Sequence, residues 1–134
     1  MPPDQPEERG MLAVRVIAMP ADTNPMGDIF GGWLMSQVDL AGGQIAFRRA
    51  GGRVATVAVN SFQFEQPVKV GDLVSCYGEV VRVGNTSLTV RVQAFAERGG
   101  DPSKEVKVTE AELTFVAVDD SGRPRPVPKQ SAVV

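Results

Sequence analysis

Histidine is absent from this chain. Its absence removes Ser-His-Asp and Cys-His catalysis, imidazole proton shuttling and the commonest metal ligand together. Cysteine is nearly absent: Cys76 stands alone, so there is no internal disulfide, and without a second thiol or an imidazole a zinc site has no ligand set. Cys76 lies in the strand-like run Leu73–Tyr77, where a buried, inert thiol is expected. Charge of one sign is also lacking. Against 14 Lys and Arg stand 16 Asp and Glu, a net charge of −2, and the basic residues are scattered. No electrostatic reason exists to expect nucleic acid or an anionic membrane as partner. No apolar run is long enough to span a bilayer. The opening ten residues are acidic and proline-rich, unlike a secretory signal, which points to the cytoplasm. No metal and no cofactor are expected, so any acid–base chemistry must come from carboxylates, hydroxyls and backbone dipoles.

What the chain does contain suits one domain with a real core: 134 residues, 43% of them hydrophobic and 22% charged. The stretch from Pro20 to Arg49 organises it. Asn24-Pro25 and Met26-Gly27 mark a loop. Asp28 then occupies the place of a helix N-cap. Ile29, Phe30, Trp33, Leu34, Leu40, Ala41 and Ile45 follow at helical spacing, predicting a helix from about Ile29 to Arg48. Two glycine pairs interrupt it, Gly31-Gly32 in the opening turn and Gly42-Gly43 further on. Each glycine inside a helix costs about 1 kcal/mol against alanine, which is tolerated where something must approach the backbone. For Gly42-Gly43, close packing on a sheet is the favoured reason. For Gly31-Gly32, a ligand at the free N–H groups of the helix start is as good a reading. Asp39 sits in the apolar run about two turns from Gly32, on nearly the same stripe.

Around this helix the chain reads as strands. Residues 1–10 lack periodicity and are expected to be a disordered tail. Met11–Met19 alternates, with Leu12, Val14, Val16 and Ala18 on one face. Strands are then expected at Val54–Phe64, Leu73–Val83, Thr86–Ala96 and Glu105–Val118, with a longer polar loop at 98–103 and a turn at 119–122. A proline-punctuated extended segment follows. The domain is expected to cover 11–128, with 129–134 a flexible tail. Strand, helix, then four strands is an α+β pattern: a five-stranded antiparallel sheet with one long helix on a face. The run Val54–Asn60 is a plausible sheet edge, and a strong β sequence there invites pairing with a second copy.

The run Ala18–Asp39, with Asp22-Thr23-Asn24, Gly27-Asp28 and Gly31-Gly32-Trp33 inside it, resembles the signature of the hotdog-fold acyl-CoA thioesterases of the YciA type. The similarity continues through Val54–Phe64, Pro67, Val70–Gly78, Gly84–Ser87 and Phe115–Asp119, and so spans about residues 11–128. It implies a hotdog fold, a sheet wrapped around the central helix. It also implies homodimers paired edge to edge, often assembled into homohexamers as trimers of dimers, with active sites at the dimer interface. The implied reaction is hydrolysis of acyl-CoA to the free acid and CoA. By motif position Asp39 would activate water or attack the thioester, and Asn24 would orient water or substrate across the interface. Gly32 would lend its N–H to the thioester carbonyl, with Gly31 beside it at the substrate. Family members commonly carry Arg after the glycine of the corner that here reads Gly84-Asn85-Thr86-Ser87. With Asn85 in that place, a turn former tolerant of positive φ, CoA phosphate would lean on Arg82, Arg53 or Lys129, while Thr86 and Ser87 could still donate to phosphate or pantetheine. A hotdog dehydratase would need a histidine. A non-catalytic acyl-CoA sensor would need neither Asp39 nor the glycine turn.

Overall fold

The computed structural model describes residues 9–129. Five strands, β1 (Met11–Ile17), β2 (Val54–Phe64), β3 (Leu73–Val83), β4 (Ser87–Arg98) and β5 (Asp101–Ala117), form one sheet around a single long helix, α1 (Gly31–Ala50). The spatial order is β1-β3-β4-β5-β2, every neighbouring pair antiparallel. The helix packs across the sheet and touches all five strands.

Central position explains β4. Its alternation puts Leu88, Val90, Val92 and Ala94 on the helix side, each fully buried. Opposite them Thr89 and Gln93 are buried as well, because strands flank β4 on both sides and Gln93 donates to Glu110 across the sheet. The helix contributes Leu34, Val38, Ala41, Gly42, Ile45, Ala46 and Ala50, recurring at three- and four-residue steps. Burying Leu34, Val38 and Ile45 stabilises the fold by about 1.5–3 kcal/mol each. Leu40, expected on this stripe, faces outward at 61% exposure.

Local chemistry moved several boundaries. The helix starts at Gly31 with Phe30 as its cap residue, so Asp28 is not the N-cap. Asp28 is taken up by the loop before it: its N–H donates to Asn24 Oδ1 and its carbonyl accepts from Asn24 N–H. Ile29 then bridges Thr23. At the far end Gly51 adopts φ +69, and its N–H closes on the Phe47 carbonyl. The expected long loop at 98–103 is instead a tight turn, because Gly99 and Gly100 both take positive φ, the geometry that continues the twist of a hairpin. In β1 a register shift between Leu12 and Val14 throws Leu12 out to solvent while Val14 and Val16 pack on the core.

Residues 1–8 and 130–134 lie outside the described residues, and with them most of both expected tails. Arg9 and Gly10, at the end of the expected N-terminal tail, are firmly engaged. The Arg9 guanidinium lies 3.6 Å from the Phe95 ring centroid and pairs with Glu105 at 2.8 Å. Gly10 has φ +87 and passes so close to β3 that a Cβ would stand 2.2 Å from the Gly78 carbonyl oxygen.

Candidate active site

The loop Pro20–Phe30 is built almost wholly from its own hydrogen bonds. Asp22 accepts from Met19 N–H at 2.9 Å, and Thr23 Oγ1 donates to the Pro20 carbonyl at 2.7 Å. Asn24 Oδ1 accepts from the N–H groups of Met26 and Asp28 at 2.9 and 3.1 Å. The oxygen of Asn24 is therefore committed to the loop, and its NH2 group has no acceptor among the described residues. The loop ends when Phe30 N–H donates to the Asp22 carbonyl at 3.2 Å. The first intrahelical bond runs from Leu34 N–H to the Phe30 carbonyl. The N–H groups of Gly31, Gly32 and Trp33 thus find no acceptor among the described residues, and the helix dipole adds partial positive charge at the same spot.

The glycines of that turn differ. A Cβ on Gly31 would stand 3.2 Å from the Phe64 ring, whereas one on Gly32 would meet nothing within 4 Å. Packing accounts for Gly31 and leaves Gly32 without a structural reason. Further on, a Cβ on Gly42 would reach 3.0 Å from Phe115, as close helix–sheet contact requires, and one on Gly43 would make an ordinary 3.7 Å contact.

Asp39 is half-buried on α1, and its Oδ1 accepts a hydrogen bond from Thr56 Oγ1 at 2.8 Å. The carboxylate stands where two clefts meet. One, of about 250 Å3, leads past Met35 and Ser36 to Val59 and Phe62; the other, of about 330 Å3, leads past Gly43 and Phe47 to Val54. Sequence reasoning missed Thr56. The only trace it leaves is one hydroxyl in the apolar run Val54–Val59. Along the helix, Asp39 and Gly32 are about 10 Å apart at 1.5 Å per residue, so one chain does not bring them to one reacting atom.

The expected CoA-binding residues gather at the opposite end of α1. Gly84 N–H donates to the Ser87 carbonyl at 2.8 Å, which closes the corner, and Thr86 accepts from Ala117 N–H. Asn85 sits in the corner between β3 and β4, as a turn former should, without adopting positive φ. Its carbonyl accepts from Val127 N–H at 2.8 Å, so it holds the chain's final strap against the sheet in an ordinary conformation. Arg53 donates to the Asp120 carbonyl, Arg82 to Thr89 Oγ1, and Arg49 to the carbonyls of Pro128 and Lys129. Arg53, Arg82 and Lys129 are all solvent-exposed, and none makes an ion pair with a carboxylate among the described residues.

The sequence and the wrapped sheet have close counterparts among known proteins. Residues 26–103 match the Thioesterase superfamily. The acyl-CoA thioester hydrolase YciA of Salmonella typhimurium is 48% identical over 124 residues, covering 91% of this chain and 93% of that protein. The chain belongs to the hotdog-fold acyl-CoA thioester hydrolases. Among solved members, the hexameric thioesterase of Yersinia pestis superposes with a TM-score of 0.85 at 47% identity, covering 90% of this chain and 97% of that one. An acyl-CoA hydrolase of Staphylococcus aureus, solved with butyryl-CoA and CoA, is 34% identical over 86% of this chain and 70% of that one, with a TM-score of 0.78. Variants of that hydrolase with an Asn, an Asp or a Thr replaced by Ala have also been solved.

Proposed function

We propose that this thioester hydrolase cleaves acyl-CoA to a carboxylic acid and CoA, at sites shared between two of its own copies. The observation that carries the reading is the hydrogen bond from Thr56 to Asp39 at the junction of two clefts, on a helix whose opening N–H groups are free. A thioester is already activated, so it needs a base and an oxyanion donor more than an elaborate nucleophile. The N–H of Gly32 in one copy donates to the carbonyl oxygen as negative charge develops on it, a contribution of about 3 kcal/mol in comparable sites. Asp39 of the other copy takes a proton from the attacking water, or attacks the carbonyl carbon itself to form an anhydride that water then opens. Either way the C–S bond breaks and CoA leaves as the thiolate. The free NH2 of Asn24 donates to the water or the substrate. Asn, Asp and Thr are the residue types altered in the Staphylococcus aureus hydrolase, and Asn24, Asp39 and Thr56 supply the same three here.

The cleft from Asp39 toward Phe47 and Val54 suits the pantetheine arm, and the basic end of α1, with Arg53, Arg82 and Lys129 near the Gly84–Ser87 corner, suits the phosphates. We place the domain at 11–128 and its assembly as a homodimer built into a hexamer, the state of its Yersinia pestis relative. We place it in the cytoplasm, where acyl-CoA is present and a reduced Cys76 is at home. Thiol release from a panel of acyl-CoA substrates tests the activity. Asp39→Asn, isosteric with the native side chain, should fold normally and lose at least about a hundredfold in kcat. Full turnover in that variant would remove Asp39 from the mechanism.

A further inference from the structure

A third cleft, of about 370 Å3, opens beside the start of α1. Ile29, Phe30, Leu34, Phe64, Pro67 and Val68 give it apolar walls. Its back wall is braced. Asp72, only 2% exposed, accepts from Lys69 N–H at 2.8 Å and from Arg98 Nε at 3.2 Å, and Arg98 also donates to the Pro67 carbonyl. The cleft's only charged lining side chains are Asp28 and Glu65. Lys107 lies 3.8 Å from Glu65 but is held more tightly by Glu110, at 2.5 Å. The Asp28 carboxylate has no partner among the described residues.

Helix N–H groups point toward the helix N-terminus, so a carbonyl oxygen held by the opening turn of α1 places its carbon at the mouth of this cleft. Two arms leave that carbon. The CoA arm carries several phosphate charges, which the unpaired Asp28 and the loosely paired Glu65 repel. The acyl arm, if apolar, matches the walls. Resting on the thioesterase reading above, we infer that this cleft receives the acyl chain and that Asp28 and Glu65 make the enzyme reject acyl groups ending in a carboxylate. The substrate class is therefore the monocarboxylic acyl-CoAs, and dicarboxylic half-thioesters are turned away by like charge along the cleft.

Hexanoyl-CoA and adipoyl-CoA form the matched pair for the test, since both acyl groups have six carbons and differ by one terminal carboxylate. Wild-type protein should prefer hexanoyl-CoA at least tenfold in kcat/KM. The double variant Asp28→Asn, Glu65→Gln keeps the side-chain shapes, and the loop bonds of Asp28 come from its backbone. It should lower that preference at least tenfold, chiefly by improving adipoyl-CoA. Val68→Phe, which fills the cleft from the braced loop, should lower hexanoyl-CoA turnover relative to acetyl-CoA at least fivefold. Hydrolysis with an unchanged hexanoyl-to-adipoyl ratio in the double variant, or an unmoved chain-length profile in Val68→Phe, overturns the assignment of the cleft while leaving the thioesterase reading intact. Wild-type protein that hydrolyses none of these substrates overturns both.

Discussion

Thr56 does for Asp39 what packing alone would not: it ties one carboxylate oxygen in place and leaves the other free. A hydrogen bond to a charged group is worth about 1.5–3 kcal/mol, enough to select one rotamer among several. Thr56→Val keeps the shape and removes the donor. It should leave KM within about twofold and lower kcat roughly tenfold, with Thr56→Ser restoring most of the loss. Steady-state kinetics of wild type and the two variants check this, and an equal fall in both variants would make Thr56 a packing residue. Cys76 shows the opposite relation of residue to surroundings. It is fully buried, and burial pushes its thiol from an ordinary 9.0 up to about 12. In the folded protein the thiol stays neutral while in the unfolded chain it ionises first. Its share of stability is therefore complete below pH 9 and falls as pH rises toward 12, by roughly 1.4 kcal/mol per pH unit. Denaturant titrations of wild type and Cys76→Val should diverge over that window and run parallel below it. The same burial keeps Cys76 from reacting with the thiol reagent that reports CoA release.

At the scale of elements, the four helical glycines separate what the sequence could say from what it could not. Their cost was visible in composition alone, and so was the likelihood of a close approach; which neighbour approached was not. The sheet strands were legible because alternation is a local signal, as in Leu88–Ala94. The helix start was not, because Asn24, four residues away, takes the Asp28 backbone into a loop that no spacing rule anticipates. Thr56 and Asp39 are neighbours only after the chain has folded back between them. The glycines also give a paired prediction. In Gly42→Ala the new methyl meets Phe115 at 3.0 Å and Val92 at 3.5 Å, and overpacking of about 1–3 kcal/mol outweighs the roughly 1 kcal/mol gained in helix propensity. In Gly32→Ala nothing lies within 4 Å, so the propensity gain of up to about 1 kcal/mol stands alone. Gly32→Ala should therefore melt higher than wild type yet turn over more slowly, because the methyl crowds the substrate carbonyl. Gly42→Ala should melt lower with less effect on kcat. Thermal melts and initial rates on the same preparations decide it, and a Gly32→Ala protein with full activity would remove the substrate as the reason for that glycine.

Among the described residues the sheet ends in two strands with an unpaired edge, β1 and β2. β2 pairs with β5 along one edge, has no strand on the other, and exposes Val57 at 56% and Val59 at 45%. Such an edge is a template for a second copy, as the sequence run at Val54–Asn60 led us to expect. The same helix that carries Asp39 at its middle carries the free N–H groups about 10 Å away, so a second, oppositely directed helix is the simplest way to bring the two to one carbonyl. Complementation tests this directly. Asn24→Asp keeps the oxygen that caps the loop and removes the NH2 donor; Asp39→Asn removes the base. Each alone should be nearly inactive. If a site takes Asn24 from one copy and Asp39 from the other, a mixed dimer has one site lacking both groups and one site with both intact. Random mixing makes about half the dimers mixed, so co-expression of the two variants should recover about a quarter of wild-type turnover. If both groups serve a site within one chain, every site in the mixture lacks one of them and nothing is recovered. Sedimentation of the mixture establishes that mixed assemblies have formed, so zero recovery in assembled protein means that each copy works alone.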